Sequence, residues 1–371
     1  MKILWMSLWL ILVGLNTFSQ KGWASSSFSS IKIMTYNVEN LFDTEDDPTH
    51  EDSTFLPLKM KANLKNHAQH CQTLKKTSWV QECLNLDWNS QTLSLKLSQI
   101  AKVIRSVDQG RGPDVILFQE IENERVLKQL RDQFLGELNY RTLIVLEGSD
   151  YRGIDLGVLS RLPAKSAPKL IPVQLSDPLK IRKDYRSVLW VALELPDKSI
   201  LNFLNVHLPA PFHSYRAREA VLKKINEIGL SFPKHEGVVV GGDFNIPSSE
   251  ESRKGLFRRL SQPYWAIAHQ IGCEICPGTT YYPPKRSWSF FDTFLISKNL
   301  LETEKPTQKH FPWQISARSI QIHNPWAFQK EGKTGAPQSF KLTSKAKPTG
   351  VSDHFPMLMS LEFRRVPTAQ K

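Results

Sequence analysis

Cysteine is scarce in this chain, at 4 of 371 residues, and only Cys273-Glu274-Ile275-Cys276 forms a closely spaced pair. No second paired thiol motif and no βαβ pattern accompanies it, which weighs against a zinc site or a dithiol redox centre. Internal repeats and long low-complexity tracts are absent as well, so neither argues against one domain. No comfortable membrane span is present at the N-terminus either: the apolar run Ile3 to Leu15 is too short for one. It follows Met1-Lys2 and leads into a polar stretch ending in Gly22-Trp23-Ala24, the pattern of a signal peptide over residues 1–24. The expected location is therefore exported, periplasmic or secreted, with an uncleaved anchor as the alternative. Finally, acids are short: 36 Asp and Glu face 48 Lys and Arg, for a net charge of +12. Such a surface concentrates polyanions, nucleic acid first and anionic lipid headgroups second.

What is present is ample apolar material, 40% of residues, enough for a large core. Compact apolar runs predict strands at Ile31–Tyr36, Asp114–Phe118, Arg141–Leu146, Ile154–Leu159, Val188–Leu195, Ile200–Val206, Val238–Val240, Phe291–Ile296 and Pro356–Phe363. Their number implies two sheets. Apolar residues at steps of three and four predict helices from Leu93 to Val107 and from Leu127 to Leu138, and a third runs from Tyr215 to Ile228 behind a capping Ser214. Helices falling between strand pairs fit a layered α/β domain. Cys71 with Cys83, and Cys273 with Cys276, is the local disulfide pairing among three connectivities.

Six short segments end apolar runs with chemically useful side chains. Gly241-Gly242-Asp243-Phe244-Asn245 follows Val238-Val239-Val240 and turns Asp243 and Asn245 to one side. There a carboxylate can take a proton from water and an amide can hold it, although Gly, Asp and Asn are also ordinary turn residues. The others are Tyr36-Asn37-Val38-Glu39-Asn40, Gln119-Glu120, Asn205-Val206-His207-Leu208, Ser289-Phe290-Phe291-Asp292 and Ser352-Asp353-His354. Polar groups gathered at strand ends point to one shared cleft. Because the six run from Asn37 to His354 and must converge, a single domain over residues 25–371 is expected. Glu120, ending an apolar strand, is the best metal ligand, since magnesium takes a few carboxylate oxygens and keeps several waters; the alternative is a helix N-terminal acid.

In this order and setting, the segments resemble the endonuclease/exonuclease/phosphatase superfamily of metal-dependent phosphoesterases. Its members include pancreatic-type deoxyribonucleases, abasic-site endonucleases, sphingomyelinases and inositol polyphosphate 5-phosphatases. The resemblance runs from about Ile31 to Phe363 and is loose between the six motifs. It implies a four-layer α/β (α+β) sandwich: two packed, largely antiparallel β-sheets flanked by helices, with the site at one end. It implies metal held by Glu120, Asn37 and Asp353, the ion being magnesium, with manganese or calcium as alternatives. Asp243 would orient or deprotonate the attacking water, with Asn245 positioning water and phosphate. His354 would contact the scissile phosphate with its ring held by Asp292, and His207 would be a second phosphate contact. Tyr151-Arg152-Gly153-Ile154-Asp155 resembles a segment of bacterial members in which an arginine lies beside the phosphate. Arg152 suits that role, Asp155 could simply pair with it, and Arg186 and Arg216 read better as solvated surface charges.

Two stretches depart from the family core: Pro48 to Asn89, polar and Lys-rich with two cysteines, and Glu302 to Thr349, Pro- and Lys-rich with Trp313 and Trp326. Either is a binding loop or disordered. For the tryptophans, stacking on single strands beside Lys330, Lys333, Lys345 and Lys347 competes with a local hydrophobic anchor. The expected activity is a nuclease acting on DNA or RNA, monomeric and without a protein partner. The alternatives are a sphingomyelinase-like phospholipid phosphodiesterase, with Phe311-Pro312-Trp313 entering the membrane, an inositol polyphosphate phosphatase, or an inert polyanion-binding protein.

Overall fold

The computed structural model describes residues 30–175, 186–302, 311–342 and 347–364. The leader expected at residues 1–24 and Lys345 lie outside them. No helix among the described residues is long and apolar enough to cross a membrane.

Two sheets face each other. The seven-stranded sheet runs in the order Trp313–Ile315, Met357–Phe363, Ser30–Leu41, Val115–Ile121, Asp155–Ser160, Thr142–Val145, with Gln321–Ile322 also pairing to Met357–Phe363. The six-stranded sheet runs Lys169–Ile171, Val188–Glu194, Ile200–His207, Gly237–Asp243, Asp292–Ser297, Trp265–Ile267. Nearly all neighbours are antiparallel. Each sheet has one parallel pair, Ser30–Leu41 with Val115–Ile121 and Ile200–His207 with Gly237–Asp243. Those two pairs decide where the chemistry sits, because parallel strands deliver their C-terminal residues to the same edge.

The alternation of these strands is what makes the layers. Ile33, Val115, Leu117, Phe203, Val239 and Phe294 point between the sheets. Their neighbours Met34, Ile116 and Phe118 turn outward under the helices Ser90–Arg105 and Glu124–Gln129. On the other outer face Val238 and Val240 meet Val221, Leu222 and Ile225 of the helix Tyr215–Ser231. The four-layer sandwich is thus as expected, period two in the strands and 3.6 in the helices. Ser214 caps its helix by accepting from Arg216 N–H. Polar side chains cross the sheet interface just below the site. Gln119 Nε2 donates to Asn205 Oδ1 at 2.7 Å, and Asn205 Nδ2 donates to Phe118 O and Gly157 O at 2.9 and 3.0 Å. Every one of these groups is buried, so the two sheets can slide past each other only by breaking the set.

The first insertion is mainly helical, with short helices at Leu58–Lys61, His67–Gln72 and Thr77–Asn85. Its lysine content misled the reading as a loop, for Lys61 is buried and donates Nζ to Thr54 O, Cys83 O and Leu86 O at 2.7–3.0 Å. Burial pulls its pKa down to about 8. The Cys71–Cys83 disulfide closes the same unit, and Cys273–Cys276 is the second bridge. In the other insertion Trp313 is a core residue, 1% exposed, with Nε1 on Asp197 Oδ1 at 2.9 Å. Phe311 is buried beside it between the sheets, so that segment is a hydrophobic anchor and offers no wedge for a bilayer. Trp326 is half exposed and donates to Lys102 O.

Candidate active site

All the strand-end residues singled out in the sequence meet at one edge of the sandwich. In the six-stranded sheet, Asp243 is the register partner of His207 on one side and of Asp292 on the other. Three ionisable groups therefore stand in a row across neighbouring strands. Gly242, at φ +150°, lets the chain pass Val206, whose carbonyl oxygen would lie 1.9 Å from any Cβ placed there. In the seven-stranded sheet, Asn37 pairs in register with Gln119, and both strands bulge directly after, between Asn37 and Leu41 and between Gln119 and Ile121. The bulges put Glu39, Asn40 and Glu120 at φ +55°, +54° and +65°, and Asn245 is at +50° in the facing loop. Left-handed backbone at non-glycine residues costs about 1–3 kcal/mol each and persists where the surroundings demand it. Here it aims the polar side chains at one point.

Asn37 lies at the centre, fully buried. Its Nδ2 donates to Glu120 Oε1 and to Asp243 Oδ2, each at 3.1 Å, so it joins the two sheets' carboxylates. Its Oδ1 accepts Glu39 N–H at 3.0 Å. The residue expected to offer a metal an oxygen thus turns its nitrogen to the carboxylates. Glu120 Oε2 accepts Asn40 N–H at 2.8 Å. Burial raises the Glu120 pKa, but Arg152, His354, the Asn37 hydrogen bond and Arg186 outweigh it and leave the group below its usual range, hence ionised.

Asp243 Oδ1 accepts Asn245 N–H at 2.7 Å, and Asn245 Nδ2 reaches both Leu208 O and Asp243 Oδ2. Burial, opposed by His354 and reinforced by Asp292, pushes the Asp243 carboxyl up to about 7. That places it where a proton can be taken or given near neutrality. His354 Nδ1 lies 2.7 Å from Asp292 Oδ2, and its Nε2 is 3.8 Å from Asp243 Oδ2. Burial disfavours the imidazolium, yet Asp292, Asp243 and Asp353 hold its pKa well above 6.5. Asp292 is itself fixed by Thr279, whose Oγ1 accepts Asp292 N–H at 3.0 Å. His207 behaves in the opposite way. Burial and the charges of Arg186, Arg152 and His354 drive its pKa well below 6.5, so it is neutral, with Nε2 3.4 Å from Asp243 Oδ2 and 3.8 Å from Glu120 Oε1.

Arg152 and Arg186 share a buried anchor, Asp150, with Arg152 Nε 3.8 Å from its Oδ1 and Arg186 Nη2 2.9 Å from its Oδ2. The reading of Arg186 as a solvated charge is corrected: its side chain is 6% exposed. Arg216 is exposed as expected, and Asp155 accepts Gly148 N–H at 2.9 Å. Asp150 and Thr279 escaped the sequence reading because neither ends an apolar run. Lys96 escaped it too. It is 1% exposed inside the helix Ser90–Arg105 and donates Nζ to Glu39 O at 3.0 Å and Val351 O at 2.7 Å. It thereby holds the Asn37–Asn40 bulge against the loop carrying Asp353 and His354, a loop that Ser352 Oγ also ties to Asn37 O at 2.8 Å.

The donor set fits a hard divalent cation. Burial and the carboxylates of Asp353 and Glu120, with Lys96 opposing, push Glu39 up to about 8, a crowding of acids that a cation relieves. Asn40 Oδ1 is buried and without a hydrogen-bond partner. Asp353 keeps its side chain 57% exposed beside His354, at 3.9 Å from Nε2. Among the described residues the one tight triple of His, Cys, Asp or Glu is His67, Cys71 and Cys83, and its two thiols are consumed by the disulfide. Glu120 and Asp353 are the carboxylates that could hold a hard divalent cation, with waters completing its shell.

Solved structures with the same fold include an endonuclease/exonuclease/phosphatase from Beutenbergia cavernae, 15% identical, covering 92% of this chain and 73% of that one at a TM-score of 0.52. A D. rerio TDP2 humanized by 14 mutations is 12% identical over 90% of this chain and 99% of its own, at 0.53. A mannosyl-6-phosphatase from Bacteroides thetaiotaomicron is 14% identical over 90% of this chain and 100% of its own, at 0.51. A search of curated proteins gives no match. The model of the Endonuclease/Exonuclease/phosphatase family matches residues 79–363, a span that includes Glu120, His207, Asp243, Asp292 and His354, and the chain belongs to that family.

Proposed function

We propose that this protein is a nuclease, hydrolysing phosphodiester bonds of DNA or RNA by in-line attack of water with the help of a divalent metal ion, magnesium first. The observation that carries the reading is the row His207, Asp243, Asp292 with His354 docked on Asp292. It sets a base near neutrality beside an imidazole whose pKa is raised well above 6.5, in one buried cluster. The metal, held by Glu120 and Asp353 beside Asn37, would supply charge neutralisation at the phosphate. The chain's own residues do the rest. Asp243, steadied by Asn245, accepts the proton of the attacking water. His354, kept cationic by Asp292, donates a hydrogen bond to a phosphate oxygen as charge builds there. His207 stays neutral and donates without adding charge next to Asp243. Arg152 and Arg186, pinned by Asp150, provide planar donors for the phosphate.

The net charge of +12 favours a polyanionic substrate, and the burial of Phe311 and Trp313 removes the feature that favoured a lipid one. Release of acid-soluble nucleotides from plasmid and single-stranded DNA and from RNA tests the reading. Magnesium-dependent cleavage abolished in His354→Ala is expected. Turnover of a sugar phosphate, inositol phosphate or phospholipid with no cleavage of any nucleic acid would overturn it.

A further inference from the structure

The two insertions meet, and what they enclose is a cleft of about 730 Å³. One wall is the helix Thr77–Asn85 with the turn that follows, the opposite wall is Phe340–Leu342, and the first turns of Ser90–Arg105 form the base. Glu39 and Asn40 close its inner end. Asn40 donates its N–H to Glu120 Oε2 and Glu39 Oε2 accepts Phe340 N–H at 3.3 Å, so the cleft and the catalytic pocket share a wall. Resting on the phosphodiesterase reading, we propose that this cleft receives the uncharged group esterified to the scissile phosphate, and that in a nucleic-acid substrate the group is a single nucleoside.

Size, polarity and charge each point there. The volume lies in the range that encloses most of a small organic ligand. Charge does not attract a run of phosphates: the lining holds Glu39, Glu82 and Asp87 against Lys96 and Lys341, so it carries no net positive charge. The net positive charge of the chain therefore does not extend into the cleft, and a polyanion is not drawn past its mouth. The floor is apolar, from Phe55, Trp88 and Leu95, with the Phe340 ring of the wall edge-on to Trp88. Above it stand the amides of Gln81 and Asn85, one helical turn apart on the exposed face, with Asn85 Nδ2 donating to Gln81 Oε1 at 2.9 Å. The pair still offers Gln81 Nε2 as donor and Asn85 Oδ1 as acceptor. An apolar floor under a paired donor and acceptor matches a heterocyclic base, planar on its faces and hydrogen-bonding at its edge. A base held there is out of any stack, so the site prefers unpaired strands over duplex.

Two phosphodiesters that share a nitrophenolate leaving group separate the cleft from the chemistry: methyl p-nitrophenyl phosphate, whose other ester group is too small to fill the cleft, and thymidine 5′-(p-nitrophenyl phosphate). The variants are Leu95→Trp, which fills the cleft, and Asn85→Ala, which removes the acceptor without crowding. Expected is a rise in KM for the thymidine ester of about tenfold in at least one variant, with kcat/KM for methyl p-nitrophenyl phosphate unchanged. Calorimetric binding of thymidine 5′-monophosphate to the full chain, lost in the same variant, is the companion result. The proposal is overturned if both variants leave the ratio of the two kcat/KM values at its parent level, whether or not both rates fall together. Should the parent protein hydrolyse neither ester, the function reading fails, and the binding experiment alone decides the cleft: no binding of the nucleotide, or binding equal in parent and both variants, overturns it.

Discussion

Replacing Asp292 with Asn keeps the shape of the site and removes one charge. Asp292 Oδ2 is 2.7 Å from His354 Nδ1 and the carboxylate is fully buried; an Asn oxygen can still accept from Nδ1–H, so the ring stays in place. What is lost is the charge assistance of that bond, about 1.5–3 kcal/mol. At about 1.4 kcal/mol per factor of ten, kcat for nucleic-acid or nitrophenyl phosphodiester cleavage should fall about 10- to 100-fold, with KM little changed. The pH profile provides the sharper reading. Burial alone would depress the His354 pKa, and Asp292 heads the groups that raise it. Activity that needs the imidazolium is present below the folded-state pKa and is lost as pH rises through it. Taking Asp292 away lowers that pKa, so the alkaline limb of kcat should move to lower pH. The same sign applies to stability, since the contribution of charged His354 is complete below its unfolded value and disappears as pH climbs through the folded one. An Asp292→Asn protein that folds normally by circular dichroism, keeps the parent kcat and shows an unmoved alkaline limb would refute the assignment of His354 as a cationic phosphate contact.

Two other perturbations follow from buried polar groups. Lys96→Met leaves Glu39 O and Val351 O without their donor, at a cost of about 3–5 kcal/mol; the melting temperature should drop on the order of 5–10 °C and kcat should fall, whereas a parent-like melt would show the lysine to be dispensable. Asn205→Leu removes the acceptor of the 2.7 Å bond from Gln119 Nε2, leaving that nitrogen its longer bonds to Thr35 Oγ1 and Leu117 O, and takes the side-chain donor from the carbonyls of Phe118 and Gly157, so the urea midpoint should fall by the equivalent of about 2–4 kcal/mol.

Much of the site was legible because each of its parts ends a compact apolar run. Val238–Val240 before Asp243, and Val115–Phe118 before Glu120, announce a strand and its last residue in one pattern. The same periodicity gave the central strands and the long helices Ser90–Arg105 and Tyr215–Ser231, whereas the helix expected from Leu127 to Leu138 is α-helical only over Glu124–Gln129 and continues as a π turn at Leu130–Phe134 and a 3-10 turn at Gly136–Leu138. What escaped has a common physical reason. Trp265–Ile267 and Trp313–Ile315 are three-residue edge strands, too short to show alternation. The helices of residues 58–85 are polar on most faces and depend on the buried Lys61 and a disulfide, neither of which leaves a hydrophobic period. Lys96, Asp150 and Arg186 are single charges buried by tertiary contact, and a charge in a sequence reads as solvent-facing until a partner far along the chain is known. The left-handed backbone at Glu39, Asn40 and Glu120 is likewise imposed from outside the local sequence.

The central claim is that this constellation is a metal-dependent phosphoesterase centre built on Glu120, Asp243 and His354. Its most direct test is the initial rate of bis(p-nitrophenyl) phosphate hydrolysis by the chelator-stripped protein, measured before and after adding back magnesium, beside Glu120→Gln treated identically. The account predicts no hydrolysis in the stripped protein, recovery with magnesium, and a Glu120→Gln protein that needs far more metal for the same rate. Hydrolysis that persists without metal, or a Glu120→Gln protein that recovers at the same magnesium concentration as the parent, would contradict it.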